Sequence, residues 1–204
     1  LTVKCSEIPH CGKRQNVSGH CEETLKQDKI RMEKNLINDL QNVSKNLISI
    51  LSSLTEEQLN KIPFLHSWTA GQVADHLLKS YSSWTIFRGT TAIASRPIDQ
   101  FCKPLSEIFL NYDIKLTAEP SDFNYPSSDI IRRDTLLTNI QIIMDSIINF
   151  SNNNELGVLC LDLEFPTIGH LTRFEWLHFH KVHTQRHIRQ LKNIINHIKT
   201  NQNE

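Results

Sequence analysis

Segment 172–200 constrains the fold most strongly, because it contains neither proline nor glycine over a length that favours one long helix. Apolar residues recur in it at steps of three and four, as they do along one face of a helix. Histidines occupy the middle of this series, where core side chains would otherwise stand. In order, the series is Phe174, Leu177, His180, His183 or Thr184, His187, Leu191, Ile194 or Ile195, and Ile198.

Three further proline-free windows show the same helical period, and they predict helices over about 29–54, from after Ser67 or Thr69 to about Phe87, and over about 128–150. Four long amphipathic helices with few strand signals predict an all-α four-helix bundle. The connection over about 90–126, with a short helix near 106–112, predicts a long crossover between helices 2 and 3. The apolar stripes of the three windows comprise Leu36, Leu40, Val43, Leu47, Leu51 and Leu54; Val73, Leu77, Tyr81 and Trp84; and Leu136 or Leu137, Ile140, Ile143 or Met144, and Ile147.

Charge and hydropathy argue against nucleic-acid and membrane partners. Lys+Arg and Asp+Glu both number 22, so the net charge is zero and there is no basic footprint for nucleic acid. No apolar run approaches the roughly 20 residues of a membrane span. We therefore expect a cytoplasmic protein that acts on a small molecule.

The N-terminal region differs from the rest, since the first methionine is Met32 and the regular helical pattern begins close to it. We expect residues 1–28 to form a disordered extension and residues 29–200 to form the bundle domain. Cys5, Cys11 and Cys21 alternate with His10 and His20, but no C-x-x-C knuckle is present, which argues against a zinc module.

The histidine-rich helix predicts a metal site. His183 and His187 are four residues apart, so on a helix they lie about 40° apart around the axis. A buried imidazole that lacks partners costs about 1–3 kcal/mol, and several on one inward face favour a metal. His76, on the inward side of the second helix, supplies the third ligand. Three imidazoles leave a coordination position open and suit a divalent transition metal such as zinc, nickel, iron or copper.

Two motifs around these histidines resemble those of the DinB-like superfamily, which includes hydrolases of the YfiT type and bacillithiol transferases. The first is Trp68–Leu77, WTAGQVADHL, and a stretch from Ala118 to Pro126 fits the mid-chain connection of the family. The second comprises Gly169–Thr172, Glu175, Trp176, His183, Arg186, His187 and Gln190. The similarity covers about residues 30–200.

The resemblance implies an up-down-down-up bundle in which His76, His183 and His187 are the metal ligands. It also implies a bacterial origin and homodimers, which are common in the family. Characterised members of the superfamily include thiol-dependent transferases and isomerases in which metal activates a low-molecular-weight thiol. The expected function is therefore a metal-dependent enzyme that activates water or such a thiol, a hydrolase or a thiol S-transferase. The alternative is a non-catalytic metal-binding bundle with a role in stress response or partner binding.

Other metal architectures fit the sequence poorly. Glu175 and His178 form one Glu-x-x-His unit, but a di-iron carboxylate bundle needs a second such unit and two more glutamates. A zincin protease requires H-E-x-x-H, and Thr184 stands where its glutamate would be.

Among the remaining candidates, Asp162 and Glu164 precede the histidine helix and are candidates for an acid or base near the open position. We expect His178, His197 and Asp75 to lie at the surface, and His180 to neighbour the ligands. Both main-body cysteines, Cys102 and Cys160, are expected to be structural.

Overall fold

The computed structural model describes residues 17–116 and 125–200, with side chains from residue 23 onward. This part of the chain is mostly helical, as the sequence predicts. The α-helices are α1 (Val17–Ser52), α2 (Glu56–Asn60), α3 (Ala70–Ser82), α4 (Cys102–Phe109), α5 (Arg133–Asn153) and α6 (Arg173–Thr200). A 3₁₀ helix over Ser83–Arg88 continues α3, and two short strands are β1 (Thr91–Ile93) and β2 (Val158–Cys160). None of the helices in these ranges is both long and apolar enough to cross a bilayer.

The chain divides into two units, Leu1–Met32 and Glu33–Glu204. The described part of the first unit is the N-terminal stretch of α1, where exposed Arg31 and Asp28 form an ion pair of 2.7 Å. Helix α1 begins at Val17 rather than near Lys29. The expected extension over 1–28 falls largely outside the described residues, as do the side chains of the N-terminal Cys and His residues.

Helix α3 lies at the centre of the second unit, since it packs against both α5 and α6. The apolar series expected on each helix is buried, apart from Val43, which is partly exposed. Thr69 rather than Ser67 caps α3, because its hydroxyl accepts from the Gln72 backbone N–H and the Gln72 side chain accepts from the Thr69 N–H.

Helix α5 begins at Arg133 instead of near Ser128 because a side chain from α2 holds the preceding backbone. The carboxamide of Asn60 accepts from the Ile131 N–H and donates to the Ile131 carbonyl, both at 2.9 Å. The Asn60 side chain thus occupies both the N–H and the carbonyl of Ile131, as a neighbouring strand would. The helix therefore begins only after Ile131.

The connections before and after α5 together form a small sheet that the sequence does not reveal. Strand β1 pairs antiparallel with β2, and Ala92 lies opposite Leu159. Gly89 precedes the sheet, and a Cβ there would collide with the carboxylate of Asp162, which accepts from the Thr90 N–H. The two long connections of the chain are therefore joined to each other beside α6.

A buried ion pair attaches this connection to the start of α6. Glu175 is fully buried, and its carboxylate accepts two hydrogen bonds from the guanidinium of Arg96, at 2.6 and 2.7 Å. The same carboxylate accepts from the N–H groups of Phe101 and Thr172, both at 2.8 Å. In return, Thr172 accepts from the Glu175 N–H, which completes a capping box at the start of α6.

Breaking this pair should destabilise the fold strongly. Arg96→Met leaves the Glu175 carboxylate buried without its cation, and we expect a loss of about 3–5 kcal/mol in the free energy of unfolding. Urea denaturation followed by circular dichroism measures it. Lys103→Met removes the exposed, 3.8 Å pair of Lys103 with Glu107, and it should cost at most about 1 kcal/mol. Equal losses in the two variants would contradict the role given to Arg96.

Candidate metal centre

Three histidines from two helices converge on one point. His76 projects from α3, and His183 and His187 project from α6. One ring nitrogen of each lies within 4.8 Å of those of the other two, and the three could hold a metal ion. The Nε2 atom of His183 lies 3.2 Å from Nε2 of His76 and 3.0 Å from Nε2 of His187. The structure thus brings together the three residues that the sequence singles out.

Two of the three pairwise separations fit a metal ion in a tetrahedral site. A metal–nitrogen bond of about 2.0–2.1 Å and a tetrahedral angle place two ligand nitrogens about 3.3 Å apart. The two Nε2 separations lie within a few tenths of an ångström of that value. The three imidazole rings meet edge to face, with centroids 4.6 to 5.1 Å apart, so their nitrogens converge without the rings stacking.

Polar neighbours orient two of the three rings. The Nδ1 atom of His187 lies 2.8 Å from the Gln190 side-chain oxygen. Because a carboxamide oxygen only accepts, Nδ1 of His187 carries the proton and its Nε2 presents a lone pair. The Nδ1 atom of His183 lies 3.3 Å from the hydroxyl of Ser80. Such contacts hold a ligand imidazole in the orientation that a metal requires.

Ser80 is not among the residues that the sequence singles out, and Gln190 is named there only as part of the second DinB-like motif, although both positions contain a signal. Ser80 follows His76 by four residues and Gln190 follows His187 by three, so each shares a helix face with a ligand. Polar side chains at these offsets from paired histidines could have been found by the same helical spacing.

Burial keeps two of the three ligand imidazoles neutral. Burial, together with repulsion from the nearby His76, lowers the pKa of His187 to about 3. Burial likewise moves the pKa of His183 well below its ordinary value, with added repulsion from His187 and His76. Neutral imidazole is the form that binds a metal, so both rings are ready to coordinate at neutral pH.

Comparison with known protein families, with curated proteins and with solved structures finds no match to this chain. The resemblance to the DinB-like superfamily therefore stays a prediction from the motifs.

Side chains on α3 around His76 hold the segment that leads into α5. The Asp75 carboxylate accepts from the Ser127 N–H at 2.8 Å, and the Gln72 side chain donates to the Ser127 carbonyl at 3.2 Å. Lys79 donates to the Tyr125 carbonyl at 2.8 Å. The expectation that Asp75 lies solvated at the surface is wrong. Its carboxylate accepts a hydrogen bond from a backbone N–H and also forms an ion pair with Lys79.

Arg186, which precedes His187, fixes the other flank of the site. Its guanidinium donates to the carbonyls of Phe109, Asn111 and Ile114, at 3.2, 2.8 and 2.5 Å. The neighbouring Arg189 lies over the ring of Tyr112, 4.2 Å from its centroid. Helix α6 therefore holds the chain that follows α4 beside its own ligands.

The other histidines of α6 lie apart from this centre. His197 is exposed, as expected, and bonds the Asn193 carbonyl. His178 is not a surface residue, because α4 covers it and its Nε2 lies 2.7 Å from the hydroxyl of Ser106. Burial lowers the pKa of His178 to about 4.

His180 is fully buried, and neither of its nitrogens has a hydrogen-bond partner. Its ring contacts Tyr81, Phe87, Trp176 and Phe179, with centroids 5.4 to 6.5 Å away. The Thr184 hydroxyl donates to the His180 carbonyl, so Tyr81 donates its own hydroxyl to Thr184, at 2.6 Å. His180 thus belongs to an aromatic compartment and makes no hydrogen bond to the ligand histidines.

The candidate acid, base and nucleophile residues have structural contacts instead. Asp162 accepts from the Thr90 N–H, and Glu164 lies 3.4 Å from His170. Neither carboxylate joins the three-histidine group in the described part of the chain. Burial raises the pKa of the Cys102 thiol to about 12 and that of Cys160 to about 11, so both stay protonated and unreactive at neutral pH.

Metal retention should depend on three of the ten histidines. The purified chain should carry about one equivalent of divalent metal, and His76→Ala, His183→Ala and His187→Ala should each remove most of it. His178→Ala and His197→Ala are the matched controls on α6 and should retain the metal. Elemental analysis by mass spectrometry measures the stoichiometry. Equal metal content in all five variants would eliminate the site.

Replacing His180 with leucine should stabilise the protein, because two unpartnered buried nitrogens are removed. We expect the free energy of unfolding to rise by about 1–3 kcal/mol at pH 7, with the metal content unchanged. Burial lowers the pKa of His180 to about 3, so below pH 6.5 the unfolded chain takes up a proton that the folded chain does not. Stability then falls by about 1.4 kcal/mol per pH unit for this one group.

The difference in the free energy of unfolding between His180→Leu and the parent protein should therefore grow by about 2 kcal/mol as the pH falls from 7 to 5. Urea denaturation of the metal-free proteins measures it, with His197→Leu as an exposed control. A difference that stays constant with pH, or a leucine variant less stable than its parent, would contradict this account.

Proposed function

We propose that this chain is a divalent-metal-dependent enzyme of the DinB-like type. In this proposal α1, α3, α5 and α6 are the four helices of the bundle, and the connection between α3 and α5 is the long crossover. The observation that carries the proposal is the convergence of the Nε2 atoms of His76, His183 and His187. The DinB-like motifs around these residues and the mostly helical fold support it.

The ligand set favours catalysis over a purely structural metal. Structural zinc sites use four protein ligands, whereas three histidines leave a position for water or substrate. His76 and His187 are only partly buried, so small molecules can approach this side of the group. The donor set suits zinc, nickel or iron. The chemistry that such an ion supplies is a lowered pKa for a coordinated water or thiol, which provides a nucleophile near neutral pH.

The residues of the chain contribute positioning rather than proton transfer. Gln190 and Ser80 orient two ligand rings, while Arg186 and Asp75 hold the flanking chain segments. No carboxylate belongs to the histidine group among the described residues. Both a hydrolase and a thiol S-transferase with a low-molecular-weight thiol as cosubstrate agree with this arrangement. A cytoplasmic location and a homodimer complete the proposal.

The same lack of an adjoining carboxylate supports the alternative function, a non-catalytic metal-binding bundle with a role in stress response or partner binding. Turnover separates the two. The metal-loaded protein is assayed with 1-chloro-2,4-dinitrobenzene and a panel of cysteine, glutathione and bacillithiol. In that reaction the thiol sulfur forms a C–S bond and chloride leaves. A parallel panel of nitrophenyl esters tests hydrolysis.

We expect turnover in one of the two panels that requires metal and falls by about 100-fold or more in His183→Ala and His187→Ala. The control variant His197→Ala should keep the parental rate. Full metal content without metal-dependent turnover in either panel would reject the enzyme and leave the non-catalytic bundle.

A further inference from the structure

We propose that the rings of Trp68, Phe109 and Tyr125 form an aromatic wall beside the metal centre that contacts the substrate. This wall selects small molecules that carry an uncharged, planar apolar group next to the reacting atom. The inference rests on the proposed function, because it concerns what binds at the open position of the same site.

One ligand imidazole on α3 and one on α6 each contact an aromatic ring that belongs to a different segment of the chain. Trp68, just before α3, has its ring centroid 5.4 Å from that of His76, and Tyr125 meets Trp68 edge-on at 6.1 Å. On the other side, Phe109 lies 5.5 Å from the ring of His183. The three rings therefore flank the ligand group on both sides.

These rings retain surface that a ligand can cover. Tyr125 is 54% exposed, and Trp68 and Phe109 are partly exposed. The chain that follows Phe109 exposes further apolar side chains, among them Ile114 at 42%. Large apolar groups that stay in contact with water next to a functional centre are characteristic of ligand-binding surfaces.

The polar side chains around the ligands are already engaged within the protein. Asp75 and Lys79 bond the backbone of Ser127 and Tyr125, and Arg186 directs its donors to three carbonyls. Gln190 bonds His187. A charged substituent would have to displace one of these contacts among the described residues. A planar apolar group instead gains contact with rings that prefer edge-on and offset partners.

Hydroxamates that bind through the metal test the wall without requiring turnover. Acetohydroxamate, benzohydroxamate and the hydroxamate of succinic acid share one metal-binding group and differ in an added methyl, an aromatic ring or a carboxylate. In isothermal titration calorimetry with the metal-loaded full chain, benzohydroxamate should bind with a Kd about tenfold lower than that of either other hydroxamate. In Trp68→Leu and Tyr125→Leu this preference should fall at least threefold, with metal content unchanged.

Phe64→Leu is the matched control, because Phe64 is a half-exposed aromatic residue whose ring contacts His197 instead of the ligand histidines. It should keep the full preference. Equal binding of the three hydroxamates, tightest binding of the carboxylate, or an unchanged preference in both wall variants would overturn the aromatic wall and leave the metal site standing. Binding of none of them to a metal-loaded protein would instead refute the open coordination position of the proposed function.

Discussion

The packing of α3 against α6 is the contact on which the site depends, since neither helix carries a complete ligand set. Two histidines on one helix direct their lone pairs at a common point. The third ligand must come from a neighbouring helix, at a position along its axis that faces this point. The burial that brings His76 to His183 and His187 also removes water from the imidazoles. Burial thus positions the donors and keeps two of them neutral, so that their nitrogen lone pairs are free of protons and can coordinate a metal ion.

Stability and metal binding make opposite demands on α6. An apolar helix would pack with lower desolvation cost than one with His180, His183 and His187 at inward positions. The capping box at Thr172 and the buried pair between Glu175 and Arg96 anchor the beginning of the helix, about two to four turns before His183 and His187. A ligand pair in the middle of a helix whose start is anchored in this way moves less than one on a frayed helix, and this is the rigidity that a metal site needs.

Much of this arrangement follows from local sequence patterns. The 3.6-residue period and the absence of proline define α6, and the same period identifies His183, His187 and His76 as inward residues. The features that the sequence missed depend on distant partners. Helix α5 starts late because of Asn60, and His178 is covered because α4 folds over it. Strands of three residues are too short to show an alternating pattern.

The hydrogen bonds that attach the flanking segments to α3 and α6 have a consequence for how such a site can diversify. Arg186, Asp75, Gln72 and Lys79 all bond main-chain groups, at positions 109, 111, 114, 125 and 127. Anchoring of this kind is independent of side-chain identity. Mutation can therefore exchange the side chains displayed at 109, 114 or 125 while these main-chain hydrogen bonds are kept, so new ligand preferences are accessible by single substitutions.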